Sequence, residues 1–376
     1  MTAIVTTNSV TFADSKSQTS ASYKTFRNLI DNGDFRVDNK YDGTQLTISS
    51  STGSGVINAQ DRWVAGGNNA SSTPGVTTQR IVYNPGDTGY ATSNSGLRIA
   101  CSTYSGGGNI TFGQRIEGVD CARFAGKTMT FSMRMTGSTA PVVTWSAYTP
   151  TTKDTWSNGT SFNGSKTLIA GATGTFVTST SSALYTASFT MPTLADSMKG
   201  IMLQFSWPPT AGGGGQYVDV TNVQLEPGAI RTPFEIKPLV WELKRCARFA
   251  PSYWGYYYDT AGTATVTTGA TVLGVGVGTS TAAAQYLIPL KVPTRVPTTS
   301  IASPNGFLLT ANNSTGGGGL LGLATTSLSN STEKDIIFDQ TGYPGFPGGS
   351  HAAGNIMRLH LQNTLGVRIW FTGAEL

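Results

Sequence analysis

The residues of this chain that could do chemistry are few, and they are badly spaced for it. The two histidines, His351 and His360, fall late in the sequence, far from Cys101, Cys121 and Cys246. A zinc centre draws three or four such ligands together, usually from short spacings like Cys-x-x-Cys. No such pair occurs, so no metal site is expected, and His360 between Leu359 and Leu361 reads as a strand residue. Cys101 and Cys121 flank a turn and could bridge a hairpin; the favoured reading is buried free thiols. No Gly-x-Ser-x-Gly, His-Glu-x-x-His or P-loop pattern is present. Gly317 to Gly322 matches Gly-x-Gly-x-x-Gly in letters alone. The chain beyond it, "LATTSLSNS", is a poor helix, so a Gly-rich loop is expected there rather than a dinucleotide site. A glycosidase would need two carboxylates about 5–10 Å apart. Such a pair is available in number among 20 acids, but the short internal repeats of a parallel β-helix spike are missing. No catalytic residue and no cofactor is expected, and the chain is not read as an enzyme.

Aromatic side chains point to a different chemistry. Sugars lay their apolar faces on Trp and Tyr while neutral polar groups take the hydroxyls. One candidate group is Trp145, Tyr148 and Trp156. Trp156 lies in the polar stretch "TTKDTWSNGT" and is expected to be an exposed platform. A second group is Trp254, Tyr256, Tyr257 and Tyr258, part of a run with five aromatics in the six positions from Tyr253 to Tyr258. This run follows a short helical pattern, where aromatics also pack at domain or subunit interfaces, and the interface reading is favoured over the ligand reading.

The elements that would position these residues are almost all strands. Charged residues make up 12% of the chain, half the usual share of about 25%, which leaves little material for the wet faces of long helices. The 46 Gly and 17 Pro supply turns instead. Hydrophobic residues at 38% are enough to fill a core, so wholesale disorder is excluded. The net charge is +5, and the densest basic stretch, Lys244, Arg245 and Arg248, sits beside a hydrophobic pattern. It reads as a solvated or interface-facing stretch, with no nucleic-acid groove. The N-terminus lacks the basic start and apolar core of a secretory signal, and no apolar run approaches the ~20 residues of a membrane span.

Residues 1–27 read as an extended arm. In "NLIDNGDFRVDN" an Asn32-Gly33 turn is expected before a short strand through Phe35 and Val37. "FAGKTMTFSMRM" alternates strictly: Met129, Phe131, Met133 and Met135 share one face, with Thr130, Ser132 and Arg134 on a wet face opposite. Strands recur as far as "VTNVQLEPG", which ends in the Pro227-Gly228 turn, and the domain is bounded at about residue 235. "LVWELKRCARFA" then places Leu239, Leu243, Cys246 and Phe249 on one side of a short helix, and strands resume to the end. The expected fold is all-β: an N-terminal jelly-roll β-sandwich over 28–235, then a C-terminal β-sandwich-like domain over 236–376 that opens with the short helix.

Three segments taken in order resemble a family of tailed-bacteriophage virion proteins described as tail-fibre, minor-tail or appendage proteins. They are the opening "NLIDNGDFRVDN" with "DRW"; the closing Val223-Gln224-Leu225-Glu226-Pro227-Gly228, Thr232-Pro233-Phe234-Glu235, Glu242-Leu243, Cys246 and Arg248-Phe249; and the terminal Ala374-Glu375-Leu376. The family's Met-Arg-x-x-Pro-Thr piece appears only in part, as Thr294-Arg295-Val296-Pro297-Thr298. The resemblance spans residues 28 to 376 and implies a carbohydrate-binding-module-like jelly roll in a homotrimeric structural protein on the tail or capsid surface of a virion. The arm would attach it to other virion proteins, and it would contact the host surface, with glycan as a candidate ligand. The alternatives are a capsid-decoration or head-fibre protein and a stand-alone carbohydrate-binding module.

Overall fold

The computed structural model describes residues 26–250, apart from 42, 49–55, 69–74, 84–93, 105–106, 157–164 and 211–213, together with the backbone of short strands on either side and a few positions between 287 and 294. In the arm, Ile4–Val5 (β1), Val10–Thr11 (β2) and Ser17–Gln18 (β3) pair antiparallel in that order, so the chain doubles back on itself rather than running out as one arm.

Twelve strands follow: Leu46–Ile48 (β4), Val56–Gln60 (β5), Trp63–Asn68 (β6), Gly75–Val82 (β7), Ser95–Thr103 (β8), Asn109–Ile116 (β9), Thr128–Gly137 (β10), Val142–Pro150 (β11), Lys166–Val177 (β12), Ala183–Thr190 (β13), Ile201–Trp207 (β14) and Tyr217–Pro227 (β15). They form two six-stranded antiparallel sheets, ordered β13-β10-β15-β8-β7-β4 and β12-β11-β14-β9-β6-β5. This is the expected β-sandwich. Short turns of helix, Gly118–Cys121 (α1) and Leu194–Ser197 (α2), join strands, and Leu239–Phe249 (α3) comes after β15, the last strand of the first sheet in sequence.

The alternation read in β10 sets the core. Met129, Phe131, Met133 and Met135 are all fully buried between the sheets. Phe131 meets Trp145 of β11 at 4.9 Å and Phe205 of β14 at 5.7 Å, both edge-on. Such aromatic pairs add about 0.5–1.5 kcal/mol each beyond the area they bury. The opposite face of β10 is drier than expected, with Thr130 and Ser132 also buried. The reason is the stretch after β15, which folds back over the outside of this sheet. The Glu226 carboxylate accepts from the Thr232 amide at 2.7 Å and its hydroxyl at 2.6 Å, and Gln224 accepts from the Glu235 amide at 2.8 Å.

The opening segment also departs from expectation. Residues 28–38 form no strand. They make an irregular loop with Asn32 at φ 51° and Phe35 at φ 56°, stitched to β15 by Leu29 N–H to Leu225 O (2.8 Å) and Val223 N–H to Gly33 O (2.8 Å). Asn28 completes the seam: its Nδ2 donates to Val223 O, and its Oδ1 accepts from the Leu225 amide. Gly33 is required by close approach, because a Cβ there would lie 2.1 Å from Val223 O.

In α3 the buried positions are Glu242, Cys246 and Phe249, while Leu239 is exposed. The helical spacing holds, but a carboxylate occupies the face where Leu239 was expected. Beyond residue 250 the strands Ser252–Gly255 (β16), Thr271–Ser280 (β17), Ala283–Pro289 (β18), Ser300–Ala302 (β19), Leu308–Asn313 (β20), Gly318–Leu321 (β21), Thr326–Leu328 (β22), Asp335–Gln340 (β23), Ile356–Gln362 (β24) and Val367–Thr372 (β25) form sheets ordered β16-β25-β19 and β21-β20-β24-β17-β18-β23-β22. Gly318 and Gly319 lie in β21, so the glycine pattern is partly strand rather than loop. His360 lies in β24, opposite Val272 and Thr310.

Replacing Gly33 by Ala is expected to destabilise the sandwich by about 3 kcal/mol, as overpacking against backbone does. The check is the urea midpoint, which should fall at unchanged m-value.

Candidate functional site

Two places gather functional side chains, and they differ in kind. The first is the joint where the opening loop, the fold-back and α3 meet. Asp31 sits at its centre. Its backbone is clamped by Gln114, which accepts from the Asp31 amide (2.8 Å) and donates to its carbonyl (2.7 Å). Its carboxylate faces Arg62 at 3.0 Å, Arg245 at 3.2 Å and Lys237 at 3.9 Å. Burial alone would raise this carboxyl, but Arg245, Arg62 and Lys237 together hold it at about 2. Glu242 accepts the Asn32 amide at 2.7 Å and faces Lys237 at 3.6 Å. Arg245 also reaches Asp120 at 2.6 Å, and Arg248 grips Glu117 through two bonds of 2.7 and 3.2 Å.

The basic stretch Lys244, Arg245 and Arg248 is therefore interface-facing for its two arginines, and the partner is the chain's own sandwich. Next to it lies a half-open cavity of about 180 Å³, lined by Phe26, Trp241, Arg123 and the Asp120–Arg245 pair among others. Its size falls below the roughly 300–1,000 Å³ of small-molecule sites. Phe26 already packs on Trp241 there, at 4.8 Å between ring centres. The joint reads as architecture.

The second place is the outer face of the sheet that holds β11. Register separates the two faces. Trp145 and Ala147 point into the core opposite Phe205 and Leu203. Thr144, Ser146 and Tyr148 point outward beside Ser206, Gln204 and Met202 of β14. On β12, Thr173 and Thr175 share this outer face and are exposed. Ser146 and Thr173 hydroxyls bond each other at 3.1 Å. Tyr148 is half-buried and packs on an apolar cluster of Val64, Trp156, Met202 and Phe249. Lys166 lies over its ring, Nζ 4.1 Å from the centroid, and donates to Gln204 Oε1. Burial, helped by the nearby Arg115, pulls this ammonium down to about 8. An aromatic ring framed by hydroxyls, an amide and an ammonium is what recognition of a polyhydroxylated ligand requires.

The candidates fall out unevenly. Tyr148 and Trp156 come together, and Trp145 lies on the other side of the same strand. Trp156 is 6% exposed, so it forms the floor under Tyr148 and not the exposed platform expected of its polar surroundings. Trp254 lies in β16 opposite Arg368, with its side chain outside the described residues. Tyr256, Tyr257 and Tyr258 fall outside the described residues altogether. Sequence reading missed Lys166 and Gln204, whose only signal is strand alternation that puts them on Tyr148's face. Cys101, Cys121 and Cys246 are buried free thiols. Among the described residues no group of metal-ligating side chains converges, and no helix is long and apolar enough to cross a membrane.

No protein-family model matches the chain, and no curated protein does. Solved structures overlap it loosely. One is the enzymatically active domain of tailspike protein 4 of bacteriophage CBA120, at 12% identity and TM-score 0.33, covering 54% of this chain and 22% of that one. Another is a CBM61 module in complex with β-1,4-galactotriose, at 10% identity and TM-score 0.30, covering 54% of this chain and all of that one. A CBM4 structure overlaps at 16% identity and TM-score 0.27, covering 53% of this chain and 99% of that one.

Two outcomes are expected. Asp31→Asn should destabilise the sandwich by about 3 kcal/mol, because it leaves buried cations uncompensated. The sign with pH follows from a carboxyl held below its ordinary 3.8. Its contribution is complete above that value and is lost as pH falls toward 2. Chemical denaturation should therefore show wild type losing about 2 kcal/mol more than the variant across this window. Trp156→Ala should cost about 3–5 kcal/mol of stability, measured the same way, as expected of a core residue and not of a binding platform.

Proposed function

We propose that this chain is a non-enzymatic structural protein of a tailed-phage particle, a trimeric fibre or appendage subunit that holds host-surface glycan on the outer face of its second sheet. The observation that carries the reading is Tyr148. It stands half-exposed on a floor of Trp156, Met202 and Val64, within a field of Ser146, Thr173 and Gln204. Such a face meets a sugar at the exposed edge of the Tyr148 ring, with neutral polar groups beside it to take hydroxyls.

The virion assignment draws on the resemblance of the opening and closing motifs. Their residues serve one purpose in space: Asn28 and Asn32 of the first lock onto Val223, Leu225 and Glu242 of the second, and Asp31 pairs with Arg245 of the helix that carries Glu242. A family signature of this kind belongs to the scaffold, so it travels with the particle rather than with any one receptor. The non-enzymatic reading draws on the carboxylates. Asp31, Glu117, Asp219 and Glu242 each face a cation in an ion pair of the scaffold.

The test is binding of the full chain to an array of bacterial surface glycans, with Tyr148→Ala as the control. The variant is expected to lose on the order of tenfold in affinity, about 1.4 kcal/mol, while remaining folded at the assay temperature, as circular dichroism should show. Equal binding by the variant, or no binding by the wild type, would remove the glycan from this face. Light scattering on the same preparation should give a mass near three times 39.4 kDa; a persistent monomer would sink the intrinsic trimer.

A further inference from the structure

We infer that the Tyr148 face selects an acidic sugar, with Lys166 as the residue that takes the anionic substituent. This rests on the glycan reading above and narrows it to a ligand class: a glycan carrying a carboxylate, or an equivalent phosphate or sulfate ester, beside the ring that meets Tyr148.

The argument begins with how cations are treated elsewhere in the sandwich. Arg62, Arg98, Arg245, Arg248 and Lys237 each have a carboxylate within 4 Å. Lys166 does not. Among the described residues its neighbours are the Gln204 amide oxygen, the Tyr148 ring and the Arg115 charge. The titratable or charged groups facing it are thus Tyr148 on β11 and Arg115 on β9, with neutral Gln204 on β14. A half-buried ammonium supported only by an amide oxygen and a π face is under-compensated, since burying a charge is costly unless it is paired. A ligand anion would supply the missing partner, and a charge-assisted hydrogen bond is roughly twice as strong as a neutral one. The ammonium is also aimed at the right place. It lies over the Tyr148 ring, 4.1 Å from the centroid, within reach of a substituent on a sugar that contacts the ring's exposed edge. Arg115 behind it adds positive potential.

The experiment uses the full chain and paired glycans: uronic-acid oligosaccharides with their carboxyl-reduced neutral counterparts, and phosphorylated or sulfated ones with their dephosphorylated or desulfated forms. Calorimetry should show at least tenfold preference for an acidic member over its neutral pair. Lys166→Gln should remove that preference, bringing the acidic and neutral members of each pair to equal affinity, and Lys166→Arg should retain it. The preference should weaken as pH rises through about 8, as the ammonium is lost. Preference for ester over carboxylate members would assign the source of the anion and still support the inference. Equal or better binding of the neutral members would overturn it and leave the glycan reading standing. Binding to no glycan of either kind would remove both.

Discussion

The structure depends on one buried carboxylate. Asp31 lies in the interior with three cations about it: Arg62 from the turn before β6, and Lys237 and Arg245 from the chain beyond β15. Taking a carboxylate out of water costs several kcal/mol, and the cost is met only where geometry and hydrogen bonds are complete. Here they are. The backbone on either side of Asp31 is engaged by Gln114, and Lys237 Nζ also donates to Ile30 O at 2.5 Å. Any displacement of the loop, the fold-back or the helix would leave a charge stranded. The joint therefore fixes where the chain leaves the sandwich and in which direction α3 runs.

That constraint reaches the candidate site. The fold-back that brings Lys237 to Asp31 first covers the outer face of one sheet, burying Gln224, Glu226 and Ser132. On the other sheet Thr173 and Thr175 of β12 stay exposed, while Gln204 and Met202 of β14 are buried. The far end of α3 then puts Phe249 under the guanidinium of Arg62, 3.4 Å from the ring centre, and into the cluster with Trp156 and Met202. Arg62 thus serves the joint through its charge and the floor of the Tyr148 face through its contact with Phe249. The two places are chemically unlike, yet they share a residue and a helix. In the joint every charge is compensated. On the sheet face Lys166 has an amide oxygen and a π face as its partners among the described residues.

Strand periodicity made the sandwich readable. The alternation of Met129, Phe131, Met133 and Met135 places them in the core because a pleated strand sends successive side chains to opposite faces, and no tertiary knowledge is needed for that. The helix over 239–249 was readable for a similar reason, as were the unpaired thiols and the Pro-Gly end of β15. Local pattern could not reveal what covers a face. Ser132 looks like a wet residue and is buried by a segment about a hundred positions away. Asn32-Gly33 looks like a hairpin turn and is instead a left-handed loop bonded to β15. Trp156 looks exposed among Thr, Lys, Asp and Ser, yet it closes over Met202 and Phe249, which approach only when β14 and α3 are in place. Sequence alone determined the predominance of strands, the inward face of β10 and the short helix before residue 250. Tertiary structure alone decided which outer face is covered, which charges meet, and that Tyr148 comes to lie beside Lys166. The reason is that coverage and charge pairing are long-range properties of the folded chain, while side-chain alternation is a property of a few adjacent residues.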